Sequence, residues 1–145
     1  MSARRTKTID SEEQLRDALS AAGQRVTAQR LAIRRVLAEL DRHVTAEEVS
    51  VALEHRLPGV SLPTVYATLD LFEQLGIVRR FTVGGVFLYD PRSDEHQHFV
   101  CRKCRTVEDL DVGFDTRRAF AAARRRGLVA EDAGLVITGL CKTCS

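Results

Sequence analysis

The sequence predicts an α+β chain in two small domains, a winged helix-turn-helix over residues 1–89 and a small α/β domain over residues 90–145. Three observations carry that prediction. Four capped, apolar-striped segments fill residues 10–75. The run IVRRFTV, then Gly84-Gly85, then VFLYD reads as a hairpin closed by a two-residue turn. All four cysteines fall in two C-x-x-C pairs beyond the hairpin, Cys101/Cys104 and Cys141/Cys144.

Residues 1–9 are polar and basic, the composition of a tail or of an arm that touches phosphates. Residues 10–22 form the first helix. Asp10 or Ser11 caps it, Glu12 and Glu13 suit its positive end, and Gly23 ends it. Leu15, Ala18, Leu19 and Ala22 share one face. Thr27 caps a second helix, about 28–41, with Ile33, Val36, Leu37 and Leu40 as its apolar stripe. Arg25 and Arg30, near its start, are candidates for phosphate or minor-groove contact. Thr45 and Glu48 make a capping box for a third helix, about 46–56, which Pro58 and Gly59 stop.

Ser61 caps a fourth helix, about 62–75, ended by Gly76. Leu62, Val65, Leu69 and Phe72 step by three and four, so that face is inward. Its opposite N-terminal face presents Pro63, Thr64, Tyr66 and Ala67. Two short helices joined by LPGVS form a helix-turn-helix whose second helix suits the major groove. The hairpin then supplies a wing, with Arg79 and Arg80 near the phosphate backbone. Double-stranded DNA is therefore the expected partner, with Arg25, Arg30, Ser61, Thr64 and Tyr66 as candidate contacts. The net charge of +2 adds little, because neither half is a basic block.

After Pro91 the composition changes. HFVCRKC and TVEDLDV read as strands around the first cysteine pair. Residues 115–126 read as a helix with Phe114, Phe120 and Ala121 inward and Gly127 at its end. LVAEDAGLVITGLC supplies a last strand or two. Exposed strands in so small a unit need covering, and a two-fold dimer covers them.

A C-x-x-C knuckle brings two thiolates to one tetrahedral ion, and two knuckles complete a closed four-cysteine zinc site. The thirty-six residues between Cys104 and Cys141 are too many for a compact ribbon, so they must hold structure of their own. A redox dithiol pair or two disulfides are the other readings. Two pairs with no spare cysteine favour a structural Zn2+, one per subunit. His96 and His98 lie just upstream, and a strand aims alternate side chains at one face, so the two imidazoles suit a single ion.

The polar start has no apolar signal segment, and no apolar run reaches membrane-spanning length. With paired cysteines as metal ligands, the cytoplasm is the expected compartment. An enzyme is not expected. A zinc deaminase needs His-x-Glu and Pro-Cys-x-x-Cys, and this chain has His96-Gln97-His98 and no Pro before either knuckle.

The segments GQRVTAQR, HVTAEEV, SLPTVYATLDLFEQLGIV, HQHFVCRKC and the terminal CKTC resemble the ferric uptake regulator (Fur) family of metal-dependent bacterial repressors, over about residues 10–145. The resemblance implies a winged-helix DNA-binding domain, a dimerisation domain, a hinge near 90–95 and a regulatory metal site between them. Carried over residue by residue, the regulatory ligands are His43, Asp90, His96, His98 and Asp109. Three imidazoles and two carboxylates suit Fe2+ or Mn2+, one per subunit. Asp109 in place of Glu, and no cysteine left over, look like the peroxide-sensing PerR branch. There the oxidation-sensitive residues would be His43 and His96, with peroxide as the only small molecule acted on. An iron-sensing repressor without peroxide chemistry and a zinc or thiol redox switch are the alternatives. Glu95 and Gln97 stand where iron-sensing relatives often hold an additional site, and no later histidine completes it. Where many relatives have Arg or Asn after the Tyr, this chain has Ala67, which can touch only a thymine methyl.

Overall fold

A computed structural model describes residues 11–92, 94 and 96–145. The basic segment 1–9, Asp10 and Glu95 lie outside the described residues. The chain divides into two compact units, one ending at Asp94 and one beginning at Glu95.

The first unit runs α1 (Glu12–Ala21), α2 (Ala28–Leu40), α3 (Ala46–Glu54), α4 (Leu62–Gln74), β1 (Arg79–Val83) and β2 (Val86–Asp90). Each helix starts where the capping residues put it. The hydroxyls of Ser11, Thr27, Thr45 and Ser61 each accept the backbone N–H three residues on. α1 and α3 add the reciprocal bond from Gln14 and Glu48, completing two capping boxes. α3 stops at Glu54, two residues short of expectation, because the chain turns there: Arg56 N–H already donates to Leu53 O. The core is the apolar stripe of every helix brought together: Leu15 and Leu19, Ile33, Val36 and Leu37, Val49 and Leu53, and Val65, Leu69 and Phe72. Leu31 joins it, whereas Ala22 is exposed and Leu62 only partly covered.

The wing is β1 against β2, antiparallel, with Val83 opposite Val86. Its turn uses Gly84 at φ 56° and Gly85 at φ 81°. Both angles are left-handed, which only glycine adopts without cost, and they match the twist of the strands. A third segment joins the hairpin through one bridge. Val44 N–H donates to Tyr89 O at 3.0 Å, and Tyr89 N–H returns the bond to Val44 O at 2.8 Å. Val44 and Tyr89 are both fully buried, so the stretch before α3 is fastened to the end of β2.

The second unit holds β3 (Gln97–Cys101), β4 (Val107–Leu110), α5 (Thr116–Arg125) and β5 (Val136–Gly139). β3 is central, antiparallel to β4 and parallel to β5. The last stretch thus gives one strand. Its apolar interior is thin: Val100 and Cys101 are the buried apolar residues described there. No residue of α5 is buried, and Phe114, Phe120 and Ala121 are only half-covered. Leu128 is 59% exposed and Val129 91%. No helix among the described residues is long and apolar enough to cross a membrane.

Candidate metal centre

Among the described residues, three groups of ligand-bearing side chains are assembled, two in the second unit and one in the first.

The four cysteines come first. Cys101 ends β3, and the turn after it carries Cys104. Arg105, at φ 65°, donates its N–H to Cys101 O to close that turn. The same turn recurs after β5, where Cys144 and Ser145 N–H groups both donate to Cys141 O. Parallel pairing of β3 with β5 puts Cys101 beside Gly139, so the two knuckles arrive side by side. The four sulfurs lie within 4.8 Å of one another. Cys104 Sγ is 3.7 Å from Cys141 Sγ. A tetrahedral ion with zinc–sulfur bonds of 2.3 Å requires sulfurs about 3.8 Å apart. A disulfide requires about 2.05 Å, so the cysteines are free thiols at zinc spacing. The four-cysteine cluster fits a structural zinc site.

The electrostatics agree. Backbone N–H groups, first that of Cys104 and then that of Cys141, point at Cys101 Sγ and bring its thiol down to about 6. Cys104 is lowered too, chiefly by the Thr106 hydroxyl 3.1 Å from its sulfur. Cys144 is pushed up to about 12, first by its bond with Cys141 and then by burial. Crowded thiols thus hold their last proton firmly. A divalent cation offsets that repulsion and releases the protons, which makes such binding pH-dependent.

The second group is built on β3 and β4. His96 and His98 are two apart, so they share a face, and their rings meet edge to face with centroids 4.7 Å apart. Register places His98 directly opposite Asp109. His96 Nε2 lies 3.4 Å and His98 Nε2 3.7 Å from the same oxygen, Asp109 Oδ1. His96, Gln97 and His98 are three successive buried polar residues, at 4%, 5% and 6% exposure. Burying polar groups is costly unless each finds a partner. Gln97, on the other face, takes the N–H of Val112 at 3.2 Å. The two imidazoles converge on a carboxylate.

The third group is made by the Val44–Tyr89 bridge. One residue back on one side and one on the other stand His43 and Asp90. His43 Nε2 lies 3.3 Å from Asp90 Oδ2. Asp90 is 2% exposed, and its other oxygen accepts the Arg92 N–H at 2.8 Å across Pro91. That bond turns Oδ2 toward the imidazole. Phe81, on β1, meets the His43 ring edge-on at 5.3 Å.

Donors bound at about 2.1 Å to one ion stand about 3.0–3.4 Å apart in octahedral or tetrahedral arrays. The His43–Asp90 and His96–Asp109 distances fall in that range, and His98–Asp109 slightly beyond it. Nitrogen and oxygen donors with no thiolate suit Fe2+ or Mn2+.

The expected DNA contacts lie in the first unit and are partly engaged. Arg25 is exposed. Arg30 donates to Arg25 O at 2.5 Å and to Gln24 Oε1 at 3.4 Å, bracing the loop before α2. Ser61 Oγ receives the Thr64 N–H and lies 2.9 Å from Thr64 Oγ1. Tyr66 is half-buried and donates its hydroxyl to Glu47. Arg80 pairs with Asp70 and Glu73 and lies over the Phe87 ring, which gives it a structural role in the wing.

Residues 21–137 match the ferric uptake regulator family model. The chain belongs to the ferric uptake regulator family. It is 37% identical over 106 residues to the peroxide-responsive repressor PerR of Staphylococcus epidermidis, covering 72% of this chain and 71% of that protein. It is 33% identical over 138 residues to the transcriptional regulator FurA of Mycobacterium tuberculosis, covering 94% of this chain and 90% of that one. Among solved structures, the ferric uptake regulator of Pseudomonas aeruginosa with manganese superposes with a TM-score of 0.64 at 32% identity, covering 87% of this chain and 96% of that one. By name these are a repressor, a transcriptional regulator and a ferric uptake regulator, in keeping with the winged helix-turn-helix and the metal-spaced clusters.

Proposed function

We propose that the chain is a metal-responsive repressor that binds operator DNA as a homodimer in the cytoplasm, and that it is a regulator rather than an enzyme. The observation that carries the reading is the pair of pre-aimed donor sets inside a ferric uptake regulator chain. His43 with Asp90 closes the end of the wing unit, and His96, His98 and Asp109 open the second unit. The five residues together hold one Fe2+ or Mn2+, which fastens the wing unit to the sheet unit. The four cysteines hold a separate Zn2+ that keeps the sheet unit folded. The exposed apolar residues of the second unit, Leu128 and Val129 among them, pack against a second copy. The proposed domain limits are 1–89 and 90–145 with a hinge near 90–95, although Asp90 pairs within β2 and the first compact unit runs on to Asp94.

Each residue has a definite task. Asp90 presents one oxygen because Arg92 N–H occupies the other. Asp109 bridges two imidazoles from one oxygen. By the resemblance to the peroxide-sensing branch, His43 or His96 is the side chain that takes up oxygen. Fe2+, when bound, would supply redox catalysis for a two-electron change in which an imidazole C–H and hydrogen peroxide give an oxo-imidazole and water. Oxidation of either imidazole removes a ligand, and with it the preference for the DNA-binding arrangement. Metal that binds one arrangement about 10⁴-fold better moves a population from 1:99 to 99:1, and a lost ligand reduces that preference.

Two staphylococcal relatives named peroxide-responsive repressor and one from Bacillus subtilis named peroxide operon regulator, at 32–37% identity, support the peroxide-responsive form. The test is DNA binding by the zinc-replete protein loaded with Fe2+ or with Mn2+, with and without hydrogen peroxide, followed by mass spectrometry. The Fe2+ form is expected to lose DNA and to gain one oxygen on His43 or His96, while the Mn2+ form keeps both. Release of DNA with disulfides formed and histidines intact would point to the thiol switch. No change with peroxide in either form would leave an iron-sensing repressor.

A further inference from the structure

Tyr66 and Glu47 meet across the helix-turn-helix. Tyr66 stands one residue past the buried Val65, in the outer N-terminal half of α4. Its hydroxyl donates to Glu47 Oε1 at 2.7 Å. Glu47 is in the first turn of α3, where a negative charge suits the helix end. The bond marks both partners. The Glu47 carboxyl is held below the usual carboxylate range, chiefly by the Tyr66 hydroxyl. The Tyr66 phenol is raised above its usual range, chiefly by Glu47.

A phenol has one proton to give and lone pairs that accept. Once the proton is committed to a carboxylate, only accepting remains. In the major groove the N–H groups on offer are adenine N6 and cytosine N4, whereas guanine O6 and N7, thymine O4 and the phosphates are acceptors. The neighbouring Ala67 is exposed and has no polar atom, so it does not compete for such a donor.

We propose that Glu47 is a positioning residue that commits Tyr66 to reading an exocyclic amine, of adenine or cytosine, in operator DNA. This rests on the reading of α4 as the helix that enters the major groove. Without Glu47 the phenol is free to donate, and its preference turns toward thymine O4, guanine or a phosphate. Gln at position 47 still accepts the hydroxyl through its carbonyl, so it preserves the preference. It also removes a negative charge from the DNA-facing side, so overall affinity rises.

The experiment uses the full chain with zinc and Mn2+ and a duplex selected by it from a random pool. Adenines are replaced one at a time by purine, and cytosines by 2-pyrimidinone, which deletes the amine and one base-pairing bond, and Tyr66→Phe on the same duplexes isolates the part that belongs to the phenol. One position per half-site is expected to lose about two- to ten-fold in affinity, the worth of one hydrogen bond. Tyr66→Phe is expected to lose that sensitivity, Glu47→Ala to shift the preferred base there to thymine or guanine, and Glu47→Gln to keep it. Circular dichroism and thermal melting confirm that the three variants fold. An amine-sensitive position that persists unchanged in Glu47→Ala overturns the proposal, as does selection of a duplex with no amine-sensitive position. If the chain selects no duplex at all, the reading of α4 falls with it.

Discussion

Replacing Cys104 by Ser isolates what the ion contributes to the second unit. Cys104 is exposed, so the change removes almost no packing, unlike the fully buried Cys101. Serine keeps the shape and the hydrogen bond with Thr106 but supplies no thiolate. Four-ligand structural zinc contributes about 10–16 kcal/mol at neutral pH. A whole domain retains only about 5–15 kcal/mol. The second unit has little else: Val100 and Cys101 are its buried apolar residues among those described, and fully burying a valine side chain is worth about 1.5–3 kcal/mol. Loss of zinc therefore exceeds the margin and unfolds β3, β4 and β5, while the first unit keeps its own buried core, sixteen residues of it among those described. The assay is a chromogenic zinc determination followed by amide hydrogen exchange. Cys104→Ser is expected to hold less than one zinc per chain, with protection lost from Gln97 to Gly139 and retained in α2 and α4. A zinc-free variant whose sheet amides stay protected would refute the reasoning.

Phe72→Ala removes the largest side chain that α4 places wholly in the first core, at a cost of about 3–5 kcal/mol. Its melting temperature is expected to fall by many degrees, with zinc content unchanged. The Tyr66–Glu47 bond gives a pH signature at both ends. Glu47 has a lowered folded value, so its stabilisation is complete above the ordinary carboxylate range and is lost as pH falls through the lowered value. Tyr66 has a raised folded value, so its share is present below the ordinary phenol value near 10 and is lost as pH rises through the raised one. Thermal melts of wild type and Glu47→Gln across pH 3–11 (a range chosen to pass both limits) are expected to differ in mid-range and to converge at low pH.

Local chemistry was legible in the sequence wherever one short segment contained all of it. Ser11, Thr27, Thr45 and Ser61 each cap the helix assigned to them, and Gly84-Gly85 turn the wing. The cysteine pairs declared themselves by spacing. Pairings between distant segments were not legible. Nothing near Val44 announces its bridge to Tyr89, yet that bridge is what sets His43 opposite Asp90. Residue type alone gives His43 no mark as a ligand; only the resemblance to a family singled it out. Similarly, β5 runs parallel to β3, a choice fixed by where the second knuckle must arrive rather than by the strand's own residues. Arg80 looked free to meet phosphates because its partners, Asp70 and Glu73, lie a helix away in sequence. Tyr66 looked free for the same reason, its acceptor being nineteen residues upstream.

One measurement bears most directly on a single ion held jointly by the wing unit and the sheet unit. Mn2+ binding is titrated calorimetrically into zinc-replete wild type, His43→Ala and His96→Ala, and the affinity of each for selected DNA is measured in parallel. Wild type is expected to take one Mn2+ per chain beyond zinc. Either substitution alone is expected to weaken that ion by at least about ten- to a hundred-fold, the loss seen when even a supporting partner of a ligand is removed, and to abolish the effect of Mn2+ on DNA affinity. Mn2+ binding left intact in His43→Ala, with DNA affinity still responsive to the metal, would mean that the first unit holds no part of the regulatory ion.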